Sequence, residues 1–302
     1  LLVELLSPKT VWMPSFVCKV MIEAVDKAGV PVCHFELDYD MRMHSTDWIH
    51  EVQANDLVIF LDYMGYPSHS DCTKQLREKK AWILDDASQA WPSNTQSNIA
   101  DFTLYSPRKF LGLPDGAVLC FHNNSDLMTD VNLELPPQDW IMKSLAVVQW
   151  RRDFDRWNAT NPWQELFKTV NDTFPLGPYQ MSAFSHMMMT YGINFQHIAN
   201  RRNANYVILN KLLHDIALFP NAPLDMVPLG FPIRVNNRQD LQDHLLNHNV
   251  TSGAAWNLQG VIPNRYIESH RLSKDIITLP CDQRYNEDDM VYVAETIRKH
   301  IK

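Results

Sequence analysis

The sequence predicts an α/β protein, with a mostly parallel sheet in a large first domain and a smaller α+β domain after it. Two observations favour this fold class. Short β-rich runs alternate with helical stretches through the first 125 residues, and 45% of the 302 residues are apolar, which is enough to fill two cores. We place the large domain with a connecting region at residues 1–170, and a helical link with the small domain at residues 171–302.

The predicted elements of the first domain are strands and helices in alternation. In chain order they are a strand at Val11–Met13, a helix from Val17, a strand at Val30–Phe35, a helix at Asp47–Gln53, a strand at Leu57–Leu61, a helix at Asp71–Lys79, and strands at Ala81–Leu84, Phe102–Tyr105 and Gly116–Phe121. Such alternation is typical of a parallel sheet that helices cover on both faces. Ligands of these sheets bind beyond the carboxyl ends of the strands.

The second half of the chain begins with a stretch that has no clear periodicity. Trp140–Trp163 is rich in Trp, Arg and Asn and is predicted to be an irregular connection. The elements predicted after it are helices at Met181–Tyr191 and Phe195–Leu213, a strand at Phe231–Val235, a helix at Arg238–Asn247, a strand at Ile276–Leu279 and a helix at Asp288–His300. The last helix follows Tyr285–Asp288, which fits a capping sequence.

The composition argues against two classes of partner. The formal net charge is −8 and the basic residues are scattered, so the sequence has no electrostatic footprint for nucleic acid. Apolar runs such as Leu57–Leu61 and Ala117–Phe121 are far too short to span a bilayer. The five cysteines are odd in number and widely spaced, which predicts reduced thiols in a cytoplasmic protein and no metal site. Because the chain opens on Leu1 without a methionine, we expect a further segment upstream.

Two charged side chains each follow a predicted strand. Asp86 lies just past the fourth strand, and Lys109 lies in the connection between the last two strands of the first domain. Asp85 and Asp86 point to opposite faces, so at most one of them can address a given ligand. A carboxylate and a lysine at the same edge of a sheet can hold opposite ends of a flat, charged cofactor. Taken alone, Asp86 and Gln89 also fit a helix capping box, and Lys109 fits a solvated surface lysine.

Successive blocks of the sequence resemble those of the DegT/StrS-type sugar aminotransferases, and the resemblance covers nearly the whole chain. The blocks are Val11–Phe16, Tyr63–Pro67, Ile83–Ala90, Ala100–Phe102, Pro107–Lys109, Asp115–Val118, Ile276–Pro280 and Asn286–Asp289. Those that contain Asp86 and Lys109 are the most specific. The resemblance implies a fold-type I enzyme that depends on pyridoxal 5'-phosphate (PLP) and forms a homodimer with each site at the subunit interface. It also implies transfer of an amino group from an amino acid such as glutamate to a keto sugar, often linked to a nucleotide.

The same resemblance implies roles for individual residues. Asp86 would face the pyridine nitrogen of PLP, and Gln89 would contact the side of the ring that carries the hydroxyl. Lys109 would bind the cofactor covalently and then move a proton between substrate and cofactor, for which its amine must be neutral. Ser106 would contact the phosphate, and Phe16 would stack on the ring. Candidate contacts for the sugar acceptor, by position only, are Trp256, Asn257 and Arg265.

The sequence departs from the family pattern at several positions. Leu104 stands where a serine is usual five positions before the lysine, and Cys18 stands where the stacking aromatic residue is expected. Gly116-Ala117 replaces a pair of glycines. Leu176–Met181, the block contributed by the neighbouring subunit, lacks the asparagine that contacts the phosphate. The turn that binds the phosphate on helix amides would lie before Leu1.

Two rival interpretations remain. Ser106 and Lys109 fit the serine-x-x-lysine motif of penicillin-recognising enzymes, although the lysine-threonine-glycine companion is missing. Alternatively, a fold of this type can persist as a binding or regulatory protein after its chemistry decays. The altered phosphate and stacking positions favour that second interpretation, whereas Asp86, Gln89 and Lys109 oppose it.

Other polar and sulfur-containing side chains are assigned to packing or to the surface. Arg201 and Arg202 could bind a substrate carboxylate or phosphate, but an ion pair on the surface of a helix is the stronger interpretation. His186 and His197 fit packed or surface positions of helices, and Met187–Met189 fits helix packing.

Overall fold

The computed structural model describes residues 1–43, 45–66, 72–90, 100–122, 127, 131–157, 159–223, 226–254 and 256–301. Pro67, which ends one of the sequence blocks, and Asp71, where a helix is predicted to begin, lie outside the described residues. Within the described ranges, no helix combines the length and apolar character needed to cross a membrane.

Six strands of the described chain form a large sheet in the order β2-β1-β3-β4-β5-β6. They are β1 Val11–Pro14, β2 Val32–Phe35, β3 Leu57–Leu61, β4 Trp82–Asp86, β5 Phe102–Tyr105 and β6 Val118–Phe121. The first five run parallel, and β6 is antiparallel to β5. Every residue of β1 and β3 is buried, as in a sheet covered on both faces. The predicted α/β class with a mostly parallel sheet is confirmed.

Six of the ten α-helices of the described residues lie where the sequence predicts them. They are α1 Leu2–Leu6, α2 Lys19–Lys27, α3 Thr73–Glu78, α4 Gln138–Trp157, α5 Trp163–Asp172, α6 Ala183–Met187, α7 Phe195–Leu213, α8 Arg238–Asn247, α9 Ile267–Asp275 and α10 Glu287–His300. The expected helix at Asp47–Gln53 is a short 3₁₀ helix, Asp47–Glu51, and α6 continues into a π-helical segment, Met188–Gly192. A second 3₁₀ turn, Pro107–Lys109, follows β5.

A smaller antiparallel sheet lies in the second half of the chain. Its order is β7-β9-β8, with β7 at Phe231–Arg234, β8 at Gly253–Ala254 and β9 at Ile276–Leu279. Buried side chains of α7, α8 and α10 pack against it, among them Leu209, Leu245 and Met290. Asn286 caps α10 in a reciprocal capping box with Asp289, which agrees with the capping sequence.

The boundary at residue 170 stays a prediction. The two sheets fall on either side of it, and most of the buried core of the small sheet is separate from that of the large one. However, the large core also includes Leu218, Phe219, Leu258 and Tyr266 from the second half of the chain.

The largest difference from the prediction concerns Trp140–Trp163, which is not an irregular connection. Most of it belongs to α4, a helix of 20 residues, and α5 begins at its end. The buried residues of α4 are Trp140, Ile141, Ser144 and Val147. These residues have helical spacing but lie only in the first half of α4. The second half of the helix is stabilised by salt bridges such as Arg151–Asp155. The apolar periodicity therefore fades before the helix ends. Helices α5 and α9 and strand β8 were not predicted either.

The strand order defines where a ligand can bind. Strands β2 and β3 lie on opposite sides of β1, so the direction in which successive strands are added to the sheet changes at β1. In sheets of this kind, ligands bind beyond the carboxyl ends of the strands at such a change of direction. The register pairs Leu61 with Asp86 and Asp86 with Leu104. Asp86 therefore lies at the carboxyl edge, between the loop after β3 and the turn after β5.

Candidate active site

Asp86 is a buried carboxylate at the end of β4. Its side chain is among the buried polar groups at 5% exposure, and its Oδ1 accepts a hydrogen bond of 2.9 Å from Ser88 N. Burial raises the pKa of Asp86, because the charged form loses its hydration, and this outweighs the opposing effects of Lys109 and Ser88. The neighbouring charge of Asp85 also raises it.

The capping-box interpretation of Asp86 and Gln89 is wrong. Asp86 belongs to the strand, and the amide oxygen of Gln89 accepts a hydrogen bond of 3.1 Å from Met64 N instead of returning to Asp86 N. Gln89 is itself buried, at 5% exposure. Its contact therefore joins the loop after β4 to the loop after β3.

Lys109 lies on the 3₁₀ turn after β5, and its amine points toward the end of β4. Its Nζ donates a hydrogen bond of 2.9 Å to Ser88 Oγ. The side chain is accessible to solvent but closely surrounded by protein atoms, as in a cleft, and this desolvation lowers its pKa. Asp86 raises the pKa, while Arg108 lowers it further. Lys109 is therefore not an isolated surface lysine, because it shares a site with Asp86.

Ser88 connects the two charged groups, and the sequence analysis did not identify it. Its backbone N–H donates to Asp86, its side chain lies close enough to lower the pKa of that carboxyl, and its hydroxyl accepts from Lys109. A serine hydroxyl can accept from an ammonium group while donating to a carboxylate. The only signal in the sequence is the aspartate two residues earlier, a spacing typical of Asx turns.

Aromatic side chains lie beside Asp86. The charge of Asp86, after burial, is a cause of the raised pKa of Tyr63, which places the phenol near that carboxylate. Tyr63 donates its hydroxyl proton to the carbonyl oxygen of Phe16, and the two rings lie 5.8 Å apart. The Phe16 ring also packs 5.3 Å from Trp256. The predicted stacking residue and one predicted acceptor contact are thus in a single cluster.

The other two candidate acceptor contacts, Asn257 and Arg265, have hydrogen-bond or ring partners outside this cluster. Asn257 is exposed, and its side chain accepts a hydrogen bond from Gln259 N. Arg265 stacks on Tyr266, whose hydroxyl donates to the backbone of His34 on β2, the edge strand of the large sheet.

The turn that carries Lys109 is braced by polar groups. The carbonyl oxygen of Ser106 accepts from Lys109 N at 3.1 Å, but the amine of Lys109 is directed at Ser88 and not at Ser106. Arg108 lies over the ring of Phe174, 5.0 Å from its centroid. This arrangement does not support Ser106 as a nucleophile paired with Lys109, and it keeps Ser106 close to the site.

Buried groups that follow this turn are linked to α6. Asp115 accepts hydrogen bonds from Ser182 N at 2.7 Å, from Ser182 Oγ at 2.6 Å and from Ser185 Oγ at 2.5 Å. Gly116 has a φ of 114°, and a Cβ there would lie 2.9 Å from Met181 Cε. The positive φ favours a glycine at this position, where the family pattern also has one.

Arg202 is not on the helix surface, so its interpretation as a surface ion pair is wrong. The side chain is 3% exposed and donates to backbone carbonyls and to Gln283. Arg201, the adjacent residue on α7, is exposed.

Together these groups form a site that can bind a flat molecule with a carbonyl group at one end and a basic nitrogen at the other. The burial of Asp86 favours a cationic partner for its carboxylate. The lowered pKa of Lys109 increases the fraction of neutral amine, which is the nucleophilic form.

Comparison with known proteins supports the fold. The sequence matches no family model, and no curated protein matches it significantly. A DegT DnrJ EryC1 StrS aminotransferase from Brucella abortus is 16% identical with a TM-score of 0.64, covering 97% of this chain and 80% of its own. A Streptococcus pneumoniae protein described as a sugar aminotransferase, solved in PLP and PMP forms, is 13% identical in the PLP form, with a TM-score of 0.70 and coverages of 99% and 83%. DesI, solved with its TDP-sugar product, is 15% identical with a TM-score of 0.65 and coverages of 98% and 77%. This chain therefore has the fold of the DegT/StrS-type sugar aminotransferases, which is the fold that its sequence blocks predict.

Proposed function

We propose that this protein is a PLP-dependent aminotransferase of the DegT/StrS type. The observation that carries the proposal is the contact chain from Lys109 Nζ through Ser88 to the buried carboxylate of Asp86. It places an amine with a lowered pKa and an acid with a raised pKa in one site at the carboxyl edge of the sheet. Sites with such paired perturbations are typical of catalysis.

The residues fit the cofactor chemically. Asp86 would hold the ring nitrogen of PLP, because a protonated nitrogen supplies the positive charge that this buried carboxylate favours. Phe16 and Gln89 would orient the ring, and Ser106 would contribute to the phosphate site. When bound, PLP supplies a carbonyl group that links to amines and a ring that withdraws electrons.

Lys109 would perform the proton transfers. Its neutral amine would hold the cofactor at its carbonyl group and would accept and return the proton at the substrate carbon. Desolvation of the side chain favours the neutral form that both steps need. Asp86 opposes this effect, because its negative charge stabilises the charged amine and raises the pKa of Lys109. The neutral amine would therefore be favoured when another group carries the positive charge next to Asp86.

The substrates we propose are an amino acid donor such as glutamate and a keto sugar linked to a nucleotide. The fold is shared with proteins described as sugar aminotransferases, and one of them was solved with a TDP-sugar product. Trp256 supports this assignment, because it comes from the second half of the chain and packs against Phe16, the residue proposed to stack on the cofactor. A cytoplasmic location is part of the proposal and is supported by the five cysteines, all of which are free thiols.

A homodimer is also part of the proposal. Most exposed large apolar side chains of the described residues lie between residues 133 and 191, on and around α4, α5 and α6. They include Leu135, Met142, Trp157, Phe167, Met187 and Tyr191. Such a concentration is typical of an interaction surface. Light scattering should give a dimer for the wild type, and Trp157→Lys with Tyr191→Lys should shift it toward monomer, whereas Ile267→Lys, outside this surface, should not.

Reduction with borohydride tests the cofactor assignment. Protein incubated with PLP and reduced should carry a phosphopyridoxyl group on the peptide that contains Lys109, as measured by mass spectrometry. Lys109→Ala should lose both this label and amino transfer, while Lys211→Ala, a change of an exposed lysine on α7, should keep both. A wild-type protein that takes up no label on Lys109 would contradict the proposal. Labelling without amino transfer from any donor would instead favour the decayed binding protein.

A further inference from the structure

Arg202 is a buried cation whose hydrogen-bond partners, among the described residues, are uncharged, although Asp282 lies near enough to raise its pKa. It lies on α7 with 3% of its surface exposed. Its Nε donates to Gln283 Oε1 at 2.8 Å, and its Nη1 donates to the carbonyl oxygens of Pro228 and Leu229 at 3.0 Å and 3.1 Å. Burial lowers its pKa, so enclosing the guanidinium costs free energy. A buried charge of this kind calls for a reason beyond the packing of α7.

One branch of these contacts reaches the turn of Lys109. The Arg202 guanidinium lies over the ring of Phe110, 4.8 Å from its centroid. Gln283, which accepts from Arg202, donates its own amide N–H to the Phe110 carbonyl oxygen at 2.7 Å. Phe110 directly follows Lys109, and its N–H bonds to Pro107 O at 3.0 Å. Both the ring and the backbone of Phe110 are thus held from the second half of the chain.

The other branch reaches Gln89. Leu229, whose carbonyl accepts from Arg202, donates its N–H to Met64 O at 3.1 Å. Met64 in turn donates its N–H to Gln89 Oε1, also at 3.1 Å. Gly65 allows this close approach, since a Cβ there would lie 2.9 Å from Val227 O. The branch therefore runs from Arg202 to Gln89 in the loop after β4, the strand that ends at Asp86.

We infer that Arg202 is a positioning residue, which fixes the turn of Lys109 and the Gln89 loop relative to each other through its two branches. The planar guanidinium has several donors at fixed angles and can serve both branches at once. A lysine in its place keeps the charge but has no such fork. The functional part of this inference rests on the proposed aminotransferase activity, whereas the structural part does not.

The first measurement uses the protein without cofactor. Hydrogen–deuterium exchange should become about tenfold faster in Arg202→Lys for residues 107–113, 62–66 and 226–230, because local opening becomes easier when these bonds are lost. Gln283→Leu removes only the branch to Phe110, so faster exchange should be confined to residues 107–113. Arg201→Lys, the exposed neighbour on the same helix, is the matched control and should leave all three segments unchanged.

The second measurement uses the loaded enzyme. Arg202→Lys should lower kcat about a hundredfold while the KM of the amino donor changes by about twofold or less, because the loss is one of alignment and not of substrate contact. Arg201→Lys should keep wild-type kcat. A merely structural role would lower the melting temperature without this separation of kcat from KM.

The outcomes separate the two proposals. Unchanged exchange in folded Arg202→Lys, or equal changes in Arg201→Lys, would overturn the positioning role even if the enzyme is active. If Arg202→Lys does not fold, Gln283→Leu decides: unchanged exchange at residues 107–113 overturns the role, and faster exchange there supports it. A wild type that binds no PLP contradicts the proposed function, while the exchange pattern still tests the role of Arg202.

Discussion

Lys109 Nζ donates a hydrogen bond to Ser88 Oγ at a distance of 2.9 Å, and the same serine hydrogen-bonds to Asp86. This relationship makes Ser88 the residue through which the amine and the acid of the site are joined. Ser88→Ala should therefore lower kcat about tenfold, since the loss of one hydrogen bond to a charged group is worth about 1.5 kcal/mol. Steady-state kinetics of amino transfer would measure it. Ser88→Thr, which keeps the hydroxyl, should retain most of the activity, and equal losses in both variants would count against the relay.

Arg108 should lower the pKa of Lys109 further, in addition to the larger effect of burial. Its guanidinium lowers the pKa of Lys109, so Arg108→Met should raise that pKa and leave less neutral amine at a given pH. In the protein without cofactor, trinitrobenzenesulfonate modifies the neutral form of Lys109. The pH at which this modification becomes fast should then be higher in the variant than in the wild type. Quantitative peptide mass spectrometry would follow the reaction. Arg156→Met, which removes an exposed arginine on α4, is the control and should give the wild-type profile.

Asp86 should reduce the stability of the protein without cofactor at neutral pH. Its pKa is raised in the folded state, so the folded protein disfavours the ionised carboxylate. The resulting loss in the free energy of unfolding is present at pH values above the folded pKa and absent below the unfolded pKa. Asp86→Asn should therefore increase the free energy of unfolding by about 1 kcal/mol at neutral pH and by much less near about pH 4. Urea unfolding at the two pH values would test this. An asparagine variant that is less stable at neutral pH would refute the assignment of the penalty.

Gly65 should tolerate no side chain. Its φ is 95°, and a Cβ would lie 2.9 Å from Val227 O, so Gly65→Ala combines backbone strain with a clash. We expect a loss of about 2–4 kcal/mol in the free energy of unfolding. Gly29→Ala is the matched control, because Gly29 has a φ of 71° with nothing within 4 Å of an added Cβ. It should lose only about 1 kcal/mol, and equal losses at both positions would show that the contact with Val227 is unimportant.

Much of the fold could be predicted from local pattern. Strands Leu57–Leu61, Phe102–Tyr105 and Ile276–Leu279 and helices α7 and α8 have the predicted bounds, because apolar runs and periodicity define them fully. Helix α9 was missed because a single large apolar residue, Leu272, accompanies the small Ser269 and Ser273 on its buried side. Small buried residues give no hydrophobic signal.

The site could be predicted only in part. Asp86 and Lys109 follow strands and can be placed at one edge from topology alone, and the structure brings them together. Ser88 could not be assigned, since the direction of its hydroxyl depends on the geometry of a turn. Arg202 could not be assigned either, because its partners at Phe110, Leu229 and Gln283 are distant in sequence, and burial of a charged residue on a helix is not visible in the pattern.

The hydrogen bond from Gln283 to the Phe110 carbonyl oxygen has a consequence for folding during synthesis of the chain. A ribosome synthesises the segment with Asp86 and Lys109 long before it reaches Gln283, so the nascent chain carries both reactive groups without the contact that fixes the second of them. Contacts across so many residues form late, because a long loop must close first. The arrangement of Lys109 relative to Asp86 is thus completed only after translation has passed this glutamine, and not as the amino-terminal sheet emerges.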